Sequence, residues 1–235
     1  MIHSPRLLAL ACVLAWPVTA SAQDRQVFHR IATIEAVRML PPDRDRSRRS
    51  IAEIVAAAQD GTLLVYVDGE QRGLGFVDIA DPAAPRPAGF LAMDGEPNSV
   101  ATLGRRVFAV VDTSPSKDAP SGHVAVVDLA SRRIEARCEL GGQPDSVALS
   151  PDGRFLVVVI ENERDERRDQ GRIPQLPPGN LTIIPVAPAG LDCAGLRRVD
   201  LTGLAEVAPT DPEPEFVDVN AVSYTHLTLP TNREV

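Results

Sequence analysis

Carboxylates dominate the residues that could do chemistry. Glu161, Glu163, Asp165, Glu166 and Asp169 fall in one short run with Asn162. Acids alternating with an amide are hard oxygen donors, the kind that suits calcium. Arg164, Arg167 and Arg168 are interleaved with them and would neutralise them in surface ion pairs; no EF-hand spacing is present. Asp211, Glu213, Glu215 and Asp218 make a second acidic group. Pro212 and Pro214 favour extended backbone there, which sends alternate carboxylates the same way. Two readings are open. Either Glu161, Glu163, Asp165, Asp211, Glu213 and Glu215 are metal ligands, with calcium the candidate, or both stretches are solvated loops. Catalytic residues cannot be named. There is no Gly-x-Ser-x-Gly elbow and no glycine-rich phosphate loop opening a helix. Only His29 and His123 lie between the two ends of the chain, and His123 reads as a plain loop-to-strand residue.

The elements that must position these residues repeat. Ser99-Val100-Ala101, Val107 through Asp112 and Val124 through Asp128 are echoed by Ser146-Val147-Ala148, Phe155 through Val159 and Leu181 through Ile184. An earlier copy contains Ile54-Val55-Ala56, Leu63 through Val67 and Gly75 through Ile79. The period is about 47–50 residues, built from short apolar strands and turns, which is propeller-blade grammar. Asp60-Gly61 and Asp152-Gly153 fit tight hairpins. Strands such as 155–160 are apolar throughout, as strands sandwiched between neighbouring sheets should be. The expected fold is all-β, a partial β-propeller of about three to four blades of a seven-bladed type, over residues 51–221. Two stretches break the rhythm, 113–122 and the longer 161–178, and long loops of this kind are often functional. Before the repeat, 23–50 reads as a strand at 27–37, then a solvated charged loop through Asp43-Arg44-Asp45-Arg46.

The two ends are foreign to the repeat. Arg6, an apolar run over 7–16 and Ala20-Ser21-Ala22 describe a cleaved export signal, residues 1–22, so a periplasmic or secreted product is expected. The apolar run is too short to span a membrane. Cys138 and Cys193 remain after cleavage; a disulfide and two free thiols are both open. Neither has a CxxC or a nearby His to support a metal or redox role. Lys117 is the single lysine among 24 basic residues, and the net charge of −8 argues against nucleic acid and anionic membranes. At the other end, Val222-Ser223-Tyr224-Thr225-His226-Leu227-Thr228-Leu229-Pro230-Thr231 breaks the style of the chain and resembles translated sequencing adapter. On that reading 222–235 is non-native and the native protein continues with further blades.

Gly75-Phe76-Val77-Asp78-Ile79-Ala80-Asp81-Pro82 and Pro144-Asp145-Ser146-Val147-Ala148-Leu149-Ser150-Pro151-Asp152-Gly153 resemble repeats of exported bacterial propellers. The acidic insert, Ile173-Pro174-Gln175-Leu176-Pro177 and Asp211-Pro212-Glu213-Pro214-Glu215-Phe216-Val217-Asp218 are similar to the choice-of-anchor I type propeller. That domain sits at the N-terminus of exported proteins described as phytase-like esterases or alkaline phosphatases. The resemblance implies a binding or scaffold module whose partner is an unknown small molecule or protein. The alternative it implies is the N-terminal part of a metal-dependent phosphoesterase. The discriminating feature is whether the carboxylates of 161–169 and 211–218 meet around one cavity.

Overall fold

The computed structural model describes residues 29–161, 163, 165, 167–168, 176–188 and 190–201. The chain divides into two units, Met1–Arg30 and Ile31–Val235, and every element below belongs to the second. Among the described residues, thirteen strands form three antiparallel sheets. The first contains β1 (Val55–Ala58), β2 (Leu63–Asp68), β3 (Gly73–Asp78) and β4 (Arg86–Ala92) in that order. The second contains β5 (Glu96–Leu103), β6 (Arg106–Asp112), β7 (Gly122–Asp128) and β8 (Arg133–Glu139). In the third, β9 (Gln143–Leu149), β10 (Phe155–Glu161) and β11 (Asn180–Ala187) are followed by β12 (Gly190–Leu191) and β13 (Arg197–Asp200), both paired with β11. Sequential antiparallel sheets stacked face to face make this a partial β-propeller, and all six strands expected from the apolar runs are present.

Side-chain parity explains why the central strands are apolar on both faces. In β6, Val107, Ala109 and Val111 point into a core shared with Val65, Val67, Leu74 and Phe76 of the first sheet. Phe108 and Val110 point the other way, into a core shared with Leu156, Val158, Ile160 and Ile184 of the third. β7 divides the same way, Ala125 and Val127 against Val124 and Val126. Alternate residues of a strand face opposite sides, so a sheet packed on both faces has no polar positions to spare. Each such Val, Leu or Phe removed from water contributes about 1.5–3 kcal/mol.

The turns follow from residues that tolerate left-handed backbone. Asp60 has φ 56° at the β1–β2 turn, a left-handed conformation that Asp tolerates better than most residues, and Gly153 has φ 68° at the β9–β10 turn, where a β-branched or bulky residue would be strained. In the latter turn, the Arg154 and Phe155 amides donate to Ser150 Oγ, and Ser150 Oγ donates to Asp152 Oδ1 at 2.7 Å. The sheets are also linked by polar bridges. Thr102 Oγ1 donates to the Ala57 carbonyl at 2.6 Å, Asn98 Nδ2 to Pro144 at 2.8 Å, and Arg198 to Leu140 at 2.8 Å.

Two expectations for the N-terminal segment are corrected. No strand occupies 29–35, and Ala36–Met39 is a short 3-10 turn. Ile34, Ala36 and Met39 lie on Tyr66, Val77, Leu64 and Ile79, the face of the first sheet turned away from the second. Tyr66 Oη donates to the Ala36 carbonyl at 3.3 Å. The apolar residues therefore cross a sheet face instead of extending an edge. The charged run after it is exposed but not simply solvated. Gln71, 2% exposed, donates its amide hydrogens to the carbonyls of Asp45, Arg48 and Arg49 at 3.0–3.1 Å. Arg44 donates to the Gln71 carbonyl and sits 5.2 Å from the Phe90 ring centre. A buried amide must satisfy its donors, and the loop carbonyls do so.

Candidate functional site

The acidic insert begins where β10 ends. Glu161 is the last residue of β10, paired across the sheet with Gln143 of β9. Asp145 sits in the β9 bulge opposite Val159/Ile160, and bulges re-aim side chains. One Asp145 carboxylate oxygen is sealed from solvent and has no hydrogen-bond partner. Burial raises the pKa of Asp145. Burial also pushes Glu161 up to about 7, with further contributions from the charges of Asp145, Glu163 and Asp112 and an opposing one from Lys117. Burial and like charge act in the same direction on a carboxyl. Asp112 ends β6, Glu161 ends β10, Asp145 lies in the β9 bulge and Glu163 in the loop after β10, and Glu161 feels the charges of the other three.

The two long loops are braced to each other. Lys117 Nζ lies 2.7 Å from Glu163 Oε1, and Arg168 pairs with Asp118. All four side chains are roughly half exposed, so each pair is worth little in free energy; their consequence is to hold the loops together. The 113–121 loop is closed internally by Thr113–Ser121 and Ser114–Ser121 hydrogen bonds. Asp112 Oδ1 accepts the Ser114 amide at 2.7 Å, so this acid partly serves the turn. A polar cavity of about 410 Å³ opens between the loops, lined by Ser116, Lys117, Asp118, Asp165 and Arg167.

Of the metal ligands expected from the sequence, Glu161 and Glu163 fall in one cluster, while Asp165 lines the neighbouring cavity and accepts the Arg167 amide at 2.9 Å. Asp211, Glu213 and Glu215 lie outside the described residues. Among the described residues no three His, Cys, Asp or Glu side chains are grouped closely enough to hold a metal. Asp145 and Asp112 join the cluster although nothing in their local sequence marks them as chemistry. Asp112 and Glu161 do share one signal: each closes the second strand of its sheet.

His123 is more than a loop-to-strand residue. It is 3% exposed in β7, with Nε2 3.4 Å from Asp94 Oδ1, and Arg137 lies 3.3 Å from the other Asp94 oxygen. Burial lowers its pKa, against the pull of Asp94, so the ring is neutral at neutral pH. The Arg137–Asp94 pair ties the β4–β5 connection to β8, and His123 Nε2, which has no hydrogen-bond partner among the described residues, lies beside it. The question of the cysteines is also settled: Cys138 of β8 and Cys193, before β13, form a disulfide with Cα atoms 5.3 Å apart. It links the second sheet to the third.

The family model of the choice-of-anchor I domain matches residues 53–221. The chain belongs to the choice-of-anchor I domain family. A search of curated proteins finds no match. Solved structures similar to this choice-of-anchor I chain include hydrazine synthase of Kuenenia stuttgartiensis, at 16% identity and a TM-score of 0.40, covering 64% of this chain and 54% of that one. A functionally unknown protein from Desulfotomaculum acetoxidans is 9% identical with a TM-score of 0.43, covering 62% and 39%. The periplasmic gluconolactonase of Pseudomonas aeruginosa is 21% identical with a TM-score of 0.44, covering 64% and 40%. The chain thus spans about half or less of these structures' length. Among the described residues no helix is long and apolar enough to cross a membrane.

Proposed function

We propose that this choice-of-anchor I chain is an exported binding or scaffold module whose working surface is the braced pair of loops at 113–121 and 161–168. The observation that carries this reading is the cross-pairing of Lys117 with Glu163 and of Arg168 with Asp118. The basic residues neutralise the loop carboxylates and shape a polar cavity, an arrangement suited to a small polar molecule or a peptide. Export is supported by the leader-like N-terminus and by the Cys138–Cys193 disulfide, since such bonds persist in oxidising compartments. The test is turnover of phosphate and carboxylic esters, with and without calcium, by the chain and its Glu161→Ala and Asp211→Ala variants. The scaffold reading expects no useful turnover. Robust turnover abolished by either substitution would place an active site inside these residues.

A second reading, the N-terminal part of a metal-dependent phosphoesterase, is favoured by Glu161. Burial first, and then the charges of Asp145, Glu163 and Asp112, raise its pKa, and a cation would relieve the like-charge part. The described acids do not form a complete set, so a calcium site would need Asp211, Glu213 and Glu215 beside Glu161, Glu163 and Asp165. Calcium bound there would supply positive charge to hold an anionic phosphate. Convergence of the two acidic stretches would favour this reading.

A further inference from the structure

We propose that a second cavity, between the 45–53 segment and the β2–β3 turn, binds a small zwitterion of the α-amino acid class. Arg48 and Arg72 take its carboxylate, and Glu53, Glu70 and Glu96 take its ammonium group.

The cavity is polar and about 230 Å³ in volume, lined by those five charged residues with Ile51 and Gly69. It is smaller than the about 300–1,000 Å³ of sites for drug-sized ligands, so its ligand is small. The β2–β3 turn and the 113–121 loop each join the second strand of a sheet to its third. The two cavities therefore open at the same end of the sheets, this one on the first sheet and the start of β5.

Both signs of charge face this space without meeting. Among the described residues none of the five charged side chains is in an ion pair. A lone anion would meet three carboxylates here, and a lone cation two guanidiniums. A molecule with one charge of each sign satisfies both sets. A guanidinium presents a planar fork that matches a carboxylate. An ammonium has three donors, one for each of the three acids. Ile51 adds an apolar wall for a short aliphatic side chain.

The frame under these groups sets them apart from scattered surface charges. Asp68, fully buried, accepts the Ser50 hydroxyl on one oxygen and the Gln71 amide on the other. The Gln71 side chain holds the Arg48 carbonyl along with those of Asp45 and Arg49. The segment that carries Arg48 is thus pinned to the turn that carries Glu70 and Arg72. The Arg72 carbonyl accepts the Met93 amide at 3.0 Å, and the Glu53 amide donates to Val67 at 3.2 Å. Gly69 completes the arrangement: a Cβ there would lie 3.0 Å from Glu96 Oε1, so the bare turn leaves room for the Glu96 carboxylate. Polar groups held on a fixed frame lose less freedom on binding.

The test is isothermal titration calorimetry of the full chain with glycine, L-alanine and L-valine, each to about 10 mM, tenfold above the about 1 mM that marks a weak site. Acetate and ethylammonium, with one charge each, are the controls. At least one amino acid should bind about tenfold or more tightly than either control. Arg48→Met and Glu70→Gln should each weaken binding about tenfold or more, the loss of one charge-assisted bond. Arg48→Lys should weaken it less, and Lys117→Met, in the other cavity, should leave it unchanged. Urea midpoints equal to wild type show that the variants fold, and Arg72→Met replaces Arg48→Met if that one does not. No binding of any of the three amino acids would overturn the proposal. So would controls that bind as tightly, binding that neither the arginine nor the Glu70 substitution weakens, or binding that Lys117→Met abolishes.

Discussion

Breaking the Cys138–Cys193 bond should cost more stability than any single loop substitution. Its two ends are 55 residues apart and join the second sheet to the third. The chain-entropy cost of a loop of that size in the unfolded state is about 4 kcal/mol at 25 °C. Cys193→Ser is the cleaner perturbation, because Cys193 is exposed while Cys138 is 1% exposed among Phe108, Val124 and Leu140. The substitution leaves Cys138 in place as a small buried thiol and opens no cavity. Urea unfolding followed by far-UV circular dichroism is the assay. With a urea m-value of about 2 kcal/mol/M, the midpoint should fall by about 2 M. Reducing the wild-type chain should give the same midpoint as Cys193→Ser. A shift under about 0.3 M would refute the reasoning, because the loop-closure term would then be absent or offset by strain.

Glu161→Gln should flatten the pH dependence of stability. The folded carboxyl titrates near 7 instead of its ordinary 4.5, so the fold disfavours the charged form, and wild-type stability should fall as pH rises from about 4.5 to about 7. Partial exposure limits the gain of the variant at pH 8 to on the order of 1 kcal/mol, measured by parallel urea titrations. Asp128 behaves oppositely: hydrogen bonds from the Ser131 amide, Arg105 and the Ser131 hydroxyl hold it down at about 2. Its contribution is present above about 4 and lost as pH falls toward 2, so Asp128→Asn should be least different from wild type in strong acid; a constant difference across pH 2–6 would count against this. Phe108→Ala should cost about 3–5 kcal/mol through the cavity left between two sheets, and a loss under 1 kcal/mol would mean that this core is not packed as described. Lys117→Met should change global stability by less than about 0.5 kcal/mol, as exposed ion pairs do.

The strands were legible because their apolar runs are short, continuous and separated by turn dipeptides. Which residue faces which neighbour was not, since Val107 through Val111 are apolar at every position and parity leaves no mark on such a run. The segment before the repeat misled for a related reason. Ile31, Ile34 and Val37 look like a strand, yet Ile34 packs on the face of the first sheet beside Tyr66 and Val77, a contact that only the tertiary arrangement creates. Gln71 gave no signal, because one amide after a turn becomes an anchor only when three loop carbonyls surround it. At the candidate site, Glu161 and Glu163 stood out as part of a charge run. Asp145 did not, because its role depends on a bulge in β9 and on burial.

The most direct measurement is limited proteolysis of the 161–178 loop with and without about 1 mM calcium, the weak end of extracellular calcium modules. The scaffold account, in which Lys117 and Arg168 already neutralise Glu163 and Asp118, predicts the same cleavage rate in both. Protection by calcium that Glu161→Gln abolishes would contradict it and favour the metal-dependent reading.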